Sequence, residues 1–428
     1  MSFDLLKINT HIRENIRTLG FEVPTPIQRK AIPAILEGHD VIGLAQTGTG
    51  KTAAFGIPVL QRLMTGPRRQ LRVLIIGPTR ELAEQTFKAL NNLGAHTNLR
   101  CVTIYGGVGM RPQVTGLQQG AEIAIACPGR LLDHIGQGTI KLSHVECLVL
   151  DEADRMFDMG FMPDIRRILQ KLPVQRQTLL FSATMPDAIR GLAHQILRNP
   201  VTLQIAHSTP AESVSHALYP VSQHLKTALL LAILERTDRE SVLIFTRTKH
   251  RAKRLATSLS HAGHSATCIQ GNLSQRQRQN AMDGFRSGKY QILVATDIAS
   301  RGIDVSTISH VINFDVPNSV DDYTHRIGRT GRAAKTGDAF TLITREDEDI
   351  VRGIERVLGS KIERRTLDGF DYGAKPPPSA HSSAHHQHSH SAHHPAAAHG
   401  PAKPHQPQSG GHPPGGRVRH YGQRKYSR

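Results

Sequence analysis

Two short stretches about a hundred residues apart carry the residue types that act on phosphates. The first, Ala45-Gln46-Thr47-Gly48-Thr49-Gly50-Lys51-Thr52, is a glycine-rich turn closing on Gly-Lys-Thr. Gly48 and Gly50 let backbone N–H groups approach phosphate oxygens with no side chain in the way. Lys51 adds a point charge for the β- and γ-phosphates, and the Thr52 hydroxyl can meet Mg²⁺. The fullest form of this pattern begins with glycine, where this chain has Ala45. The second stretch, Asp151-Glu152-Ala153-Asp154, follows the apolar run Cys147–Leu150, which reads as a buried strand delivering carboxylates at its end. Asp151 is placed to hold the cation, directly or through water, and Glu152 to orient and deprotonate an attacking water. Alone, an Asp-Glu pair is often a solvated turn; beside a phosphate turn that reading recedes.

A third group, His325-Arg326-Ile327-Gly328-Arg329-Thr330-Gly331-Arg332, puts three arginines within seven residues. Arginine keeps its charge at any physiological pH and can stabilise charge developing on a transferring phosphoryl group. If these side chains reach across a cleft to the first turn, hydrolysis requires the cleft to close. On spacing alone, a basic surface loop remains the alternative.

Something has to position these groups. Apolar runs at Val73–Ile76, Ile123–Ala126, Leu148–Leu150 and Thr178–Phe181 read as strands, with the amphipathic Arg80–Leu93 between as a helix. After residue 210 the series restarts: Ser241–Phe245, a helical Lys249–His261, then Gln291–Ala295, His310–Phe314 and Ala339–Ile343. Strands alternating with helices imply parallel sheets covered on both faces. The expected fold is α/β with two tandem domains, at 1–205 and 216–371, joined by a linker at 206–215.

The 428 residues exceed one ordinary domain, in keeping with that division. The net charge of +18 points to a polyanionic partner. Residues 372–428 hold seven Lys/Arg and no acid, so the rest of the chain still carries +11. That last stretch has 9 of the 24 prolines and 11 of the 25 histidines, and too few aliphatic side chains to offset its ordering entropy. It is expected to be a disordered, basic tail. Its histidines could bind metal, but nothing fixes their geometry. Its closing run, Arg417 to Tyr426, mixes cations with two tyrosines, as sequence-tolerant contact with a nucleic acid requires. Cys101, Cys127, Cys147 and Cys268 have neither C-x-x-C pairing nor zinc spacing, which suits a reduced compartment. With no signal-like start and no long apolar run, the expectation is a cytoplasmic protein without a membrane partner.

These segments together resemble the DEAD-box ATP-dependent RNA helicases over about residues 1–365. The resemblance implies two RecA-like domains with ATP and Mg²⁺ as cofactors. Gly20 to Gln28 resembles the adenine-reading Q motif: Gln28 would bond the adenine edge, Phe21 would stack on its face, and Phe3 would support the pocket. Gln46, Thr47, Gly48, Thr49, Gly50, Lys51 and Thr52 would hold the phosphates, with Thr52 and Asp151 on the metal. Pro78, Thr79, Arg80, Gly107 and Arg130 resemble the first domain's RNA contacts. Thr246, Gly271, Gln275, Arg278 and Thr296 resemble those of the second. Ser182 and Thr184 would couple hydrolysis to strand separation, together with His325 and Arg326, the latter bracing the interdomain contact. By the same resemblance Asp304 meets the ribose, while Arg329 and Arg332 act as arginine fingers beside Lys51, Asp151 and Glu152. The ends of the chain and the run Asp151–Ile168 look most like the bacterial RhlE-type branch.

The expected activity is ATP hydrolysis coupled to local unwinding of short RNA duplexes, or remodelling of ribonucleoprotein, with sequence-independent binding of RNA. Partners among ribosomal or RNA-decay proteins would suit the family. Departures are few: Cys127 stands where the family has threonine, Ser300 where alanine is commoner and Asn272 where aspartate is. Two other readings keep the fold: an RNA annealing or clamping protein with little unwinding, and a DNA-directed helicase. Intact Lys51, Glu152 and Arg329 weigh against the first, and the Gln28 segment against the second.

Overall fold

Strands β1 (Val41–Leu44), β2 (Val73–Ile76), β3 (Cys101–Ile104), β4 (Ile123–Ala126), β5 (Cys147–Leu150), β6 (Gln177–Ser182) and β7 (Val201–Gln204) form one sheet in the computed structural model. Their order is β3-β4-β2-β5-β6-β1-β7, and every pairing is parallel. The second sheet holds β8 (Val214–Pro220), β9 (Val242–Phe245), β10 (Ala266–Ile269), β11 (Ile292–Ala295), β12 (His310–Asn313), β13 (Gly337–Ile343) and β14 (Glu363–Arg364). It runs β10-β11-β9-β12-β13-β8-β14, again all parallel. The chain is therefore two tandem RecA-like lobes. The structure describes residues 2–46, 48–205, 214–237, 240–300, 308–330 and 337–375, which belong to one compact unit.

Strands buried on both faces read as continuous apolar runs rather than alternating ones, because helices cover each side. Here β2, β4, β5, β9, β11 and β12 are buried at every position. In the first lobe the two sheet faces become two clusters, one around Phe55, Ile75, Val149 and Phe181, the other around Ile76, Leu148, Leu150 and Ile165. Gly43 sits in β1 because the Phe181 ring lies against it; a Cβ there would stand 2.6 Å from the ring carbons. Phe181 also packs on Phe55 with centroids 5.4 Å apart, so Phe181→Ala is worth about 3–5 kcal/mol of stability.

The helix Arg80–Leu93 shows how sequence sets a boundary. Thr79 caps it by accepting from Leu82 N–H at 3.2 Å, Glu81 complements the N-terminal dipole, and Leu82, Ala83, Leu90 and Leu93 form the buried face. In the second lobe Lys226 is 2% exposed, and its Nζ donates to the carbonyls of Phe314 and Leu342 at 3.1 and 2.8 Å. This buried cation ties together the chain just beyond β12 and the end of β13.

Packing continues to Ala374: Leu367, Phe370, Tyr372 and Ala374 lie against the second lobe's core. Ordered chain therefore extends past residue 372, where composition alone begins the tail. Strand β8 likewise starts at Val214, inside the stretch read as linker, because Val214 is buried and pairs with Gly337. The rest of the linker, 206–213, and residues 376–428 lie outside the described residues.

Candidate functional site

The phosphate turn leaves β1 and enters the helix Lys51–Leu63 through Gly50, at φ 90° and ψ 22°. Gly48 stands at φ 87°. An L side chain rarely adopts that region, and at Gly50 a Cβ would also sit 2.4 Å from Gln28 Nε2. The turn is held from within. Lys51 Nζ donates to the Ala45 carbonyl at 2.8 Å, Thr49 Oγ1 to the Gln46 carbonyl at 2.7 Å, and Gln28 Nε2 to the Gly50 carbonyl at 3.2 Å. Gln28 also accepts from Thr25 N–H at 2.9 Å, so it belongs to a helix cap as well as to the turn. Phe21 is 39% exposed beside it, while Phe3 is in the core. Thr52 follows Lys51 in the helix's first turn; Thr47 lies outside the described residues.

Asp151 ends β5 at 3% exposure, and burial pushes its carboxyl up to about 7 against the opposing charge of Lys51. Its Oδ1 accepts from Glu152 N–H at 3.0 Å. Glu152 takes the left-handed backbone at φ 54°, a strained conformation of the kind that gathers at functional sites. Among the described residues no three His, Cys, Asp or Glu side chains form a metal cage. The donors present suit Mg²⁺ all the same, since that ion is usually held by one or two carboxylates with phosphate and water completing its shell. The left-handed glycines, with no side chain to block the turn's concave face, fit a nucleotide's phosphates in the same way.

Asp154 links this site to the segment Ser182–Thr184. Its Oδ2 accepts from the N–H groups of Ala183 and Thr184, at 3.0 and 2.9 Å, and from Thr184 Oγ1 at 3.2 Å. Its own N–H donates to Ser182 Oγ at 3.1 Å. Burial would raise this carboxyl, but Lys51 and the Thr184 N–H outweigh it and hold the group below the usual range. Ser182 and Thr184 thus reach the carboxylate cluster through Asp154, which sequence reasoning spelled out without giving it a role.

The second lobe meets the first around His325. Burial and then Arg155 push His325 down to about 4, with Asp154 opposing. A cavity of about 20 Å³ is lined by Arg155 on one side and by Phe245, Asp297, Asp322, His325, Arg326 and Arg329 on the other. Arg326 donates to both Asp297 oxygens at 2.6 and 2.7 Å, to Asn313 Oδ1 at 3.1 Å and to the Asp315 carbonyl at 2.7 Å. It also lies 4.9 Å from the Phe245 ring centroid. Each of these partners is in the second lobe, so Arg326 braces its own lobe rather than bonding across the cleft. Arg329 is 3% exposed on the same cavity; Arg332 and Asp304 lie outside the described residues.

The residues matched to RNA contact line up at strand ends. Pro78 and Thr79 follow β2, Thr246 follows β9, Gly271 follows β10 and Thr296 follows β11. The Arg80 guanidinium lies so close over Gly107, at φ 78°, that a Cβ there would fall 2.1 Å from Nη1. Arg130 Nη1 donates to the Val108 carbonyl at 3.2 Å. Cys127 caps the helix Pro128–Gly136 with no side-chain hydrogen bond, and burial pushes its thiol up to about 12. Gln275 and Arg278 take partners across the lobes. Arg80 donates to Gln275 Oε1 at 3.3 Å, and Arg278 Nε to Glu81 Oε1 at 2.7 Å. In the sequence Arg155 carries no signal and Glu81 stands only within the Pro78–Leu82 segment that resembles an RNA contact, because pairing over nearly two hundred residues, or inside a strained turn, leaves no local pattern.

Residues 25–192 match the DEAD/DEAH box helicase family, and residues 225–334 match the helicase conserved C-terminal domain. The DEAD-box ATP-dependent RNA helicase CshA of Geobacillus kaustophilus is 43% identical over 371 residues, covering 86% of this chain and 79% of that one. Among solved structures, Saccharomyces cerevisiae Dbp5 bound to RNA and ADP BeF3 overlays with a TM-score of 0.78 at 30% identity, covering 85% of this chain and 95% of that one. A DEAD box protein from the hyperthermophile Methanococcus jannaschii overlays at 0.51 with 37% identity, covering 86% and 99%. The chain belongs to the DEAD-box ATP-dependent RNA helicases. The relatives from Geobacillus kaustophilus and Bacillus cereus carry the CshA name, and they do not confirm the RhlE-type branch.

Proposed function

We propose that this ATP-dependent RNA helicase separates short RNA duplexes locally, by closing its two lobes on one strand, and does so without reading sequence. The observation that carries this reading is the cross-cleft juncture: Arg80 and Glu81, opening the helix Arg80–Leu93 of the first lobe, bond Gln275 and Arg278 in the helix Gln275–Arg286 of the second. The whole-chain overlay supports it. The yeast protein bound to RNA and ADP BeF3 fits better than the Methanococcus jannaschii protein, although the latter shares more residues.

Bound ATP would supply the phosphoryl group to be transferred, and Mg²⁺, which Thr52 and Asp151 would hold, positive charge beside it. Around them Gly48 and Gly50 offer backbone N–H groups, Lys51 turns its ammonium from the Ala45 carbonyl to phosphate, and Thr52 and Asp151 hold the cation. Gln28 reads the adenine edge beside Phe21. Glu152 orients the water and takes its proton. Arg329 sets its guanidinium against the developing charge. Hydrolysis is then felt through Asp154 at Ser182 and Thr184. On the RNA side, Thr79, Gly107, Arg130, Thr246, Gly271 and Thr296 present backbone and hydroxyl groups to phosphates, which fixes register without selecting bases. The site of action is the cytoplasm, a reading that the four free cysteines support. No described helix is long and apolar enough to cross a membrane.

The test is ATP hydrolysis with and without single-stranded RNA, with DNA of equal length in parallel. Stimulation by RNA alone, lost in Glu152→Gln, is the expected result. Equal stimulation by DNA would make the chain a DNA-directed enzyme. RNA binding without hydrolysis would make it a clamp.

A further inference from the structure

Arg155 follows the carboxylate cluster immediately and is itself buried, at 3% exposure. Its Nη1 donates to Glu152 Oε2 at 3.2 Å, with both side chains 4% exposed. The Glu152 backbone is fixed on both sides: its N–H donates to Asp151 Oδ1 at 3.0 Å, and its carbonyl accepts from Met156 N–H at 3.1 Å. What remains free is the side chain's own torsions, and the guanidinium restrains those. A buried ion pair is weak evidence for stability, because desolvating two charges costs about as much as their attraction returns. Holding a carboxylate in one orientation is a better account of this one.

The guanidinium has a second neighbourhood. It is the first-lobe member of the cavity lined by His325, Arg326, Arg329, Asp297 and Asp322. Arg155 therefore bonds the carboxylate and lines the same cavity as the second lobe's His325, Arg326 and Arg329.

We infer that Arg155 is a positioning residue for hydrolysis: it engages Oε2 of Glu152, leaves Oε1 to meet the water, and is itself seated by the second lobe's His325–Arg329 segment. The inference rests on Glu152 being the water-orienting group. A carboxylate free to rotate would spend much of its time away from the attacking water, and small misplacements of a reacting group lower rates steeply. Nucleotide binding does not depend on this contact.

The test uses the full chain with saturating RNA and initial rates against ATP concentration, for Arg155→Gln, Arg155→Lys, Glu152→Gln and the double glutamine variant. Arg155→Gln lowers kcat about tenfold or more and leaves the KM for ATP within about twofold. Arg155→Lys, which keeps the charge, recovers part of kcat, and carries the same split should the glutamine variant fail to fold. The double variant is no slower than Glu152→Gln alone, because Arg155 acts through that carboxylate. An unchanged kcat, a rise in KM in place of the fall in kcat, or a double variant slower by the product of the single losses would overturn the inference. Should Glu152→Gln itself hydrolyse at the wild-type rate, the reading of Glu152 fails and the inference falls with it.

Discussion

The two lobes lay down the same strand order and put different material at the strand ends. After β1 and β5 the first lobe uses backbone: Gly48, Gly50 and Glu152 stand at φ 87°, 90° and 54°. After β8 and β12, which hold the corresponding places in the strand order, the second lobe has no positive φ among the described residues of those loops. It works with side chains instead, Arg326 clamped on Asp297 and Arg251 on Asp315. A sheet can be duplicated without duplicating its phosphate turn, because the turn's conformation lives in a few glycines and not in the strands. On the proposed reading the lobe with the turn holds the nucleotide, and the lobe with the arginines supplies charge.

The sharpest way to break this contrast is at the glycines. Gly50→Ala meets both an unfavourable φ and a Cβ 2.4 Å from Gln28 Nε2, and should lower kcat/KM for ATP about a hundredfold. Gly271→Ala, with nothing within 4 Å, should keep the KM for ATP within about twofold. Equal losses from the two would erase the difference between the lobes.

A smaller effect concerns the juncture itself. Glu81 and Arg278 are each 12% exposed in their ion pair, so a double-mutant cycle on RNA affinity with a non-hydrolysable ATP analogue should give a coupling of about 1–2 kcal/mol. Reversing both charges should recover part of the loss from either reversal alone. Simple additivity would show that the lobes do not meet there when RNA is bound.

The smallest predicted effect is a difference of sign in the response to pH. Burial depresses His325 to about 4 and lowers His216, so the unfolded second lobe binds more protons than the folded one below about 6.5, and stability falls as pH drops toward 4. Asp151 is the reverse case. With its carboxyl near 7 when folded and 3.8 when exposed, Asp151 contributes stability that grows as pH drops from about 7 toward 4, while the lowered His134 of the same lobe acts against it. Hydrogen exchange, corrected for its intrinsic pH dependence, should show that the contributions removed by Asp151→Asn in the first lobe and by His325→Asn in the second move protection in opposite directions between pH 7.5 and 5. Movement in the same direction would contradict these assignments.

Much of this was legible because buried parallel strands are written as unbroken apolar runs. Val73–Ile76, Ile123–Ala126, Arg80–Leu93 and Lys249–His261 appear in the structure with the ends their sequences suggest. β3, β7 and β10 were harder: they are edge or near-edge strands with half-exposed residues such as Cys101, Thr103 and Thr267, and the apolar run breaks. The site's residue types were legible for a related reason, since phosphate chemistry constrains spacing. Its wiring was not. Glu152 to Arg155 depends on a left-handed turn, and Arg278 to Glu81 on two lobes coming together, and neither has a period that a sequence can display. Gln275 and Arg278, expected as RNA contacts, also bond Arg80 and Glu81 of the other lobe.

The central claim is that the first lobe's chemistry needs the second lobe's charge, and Arg329→Ala tests it most directly. Measured with saturating single-stranded RNA, ATP hydrolysis should fall by about a thousandfold while nucleotide affinity stays within about threefold. Hydrolysis at near the wild-type rate would mean that the phosphate turn and Glu152 suffice by themselves, and the division of labour between the lobes would be wrong.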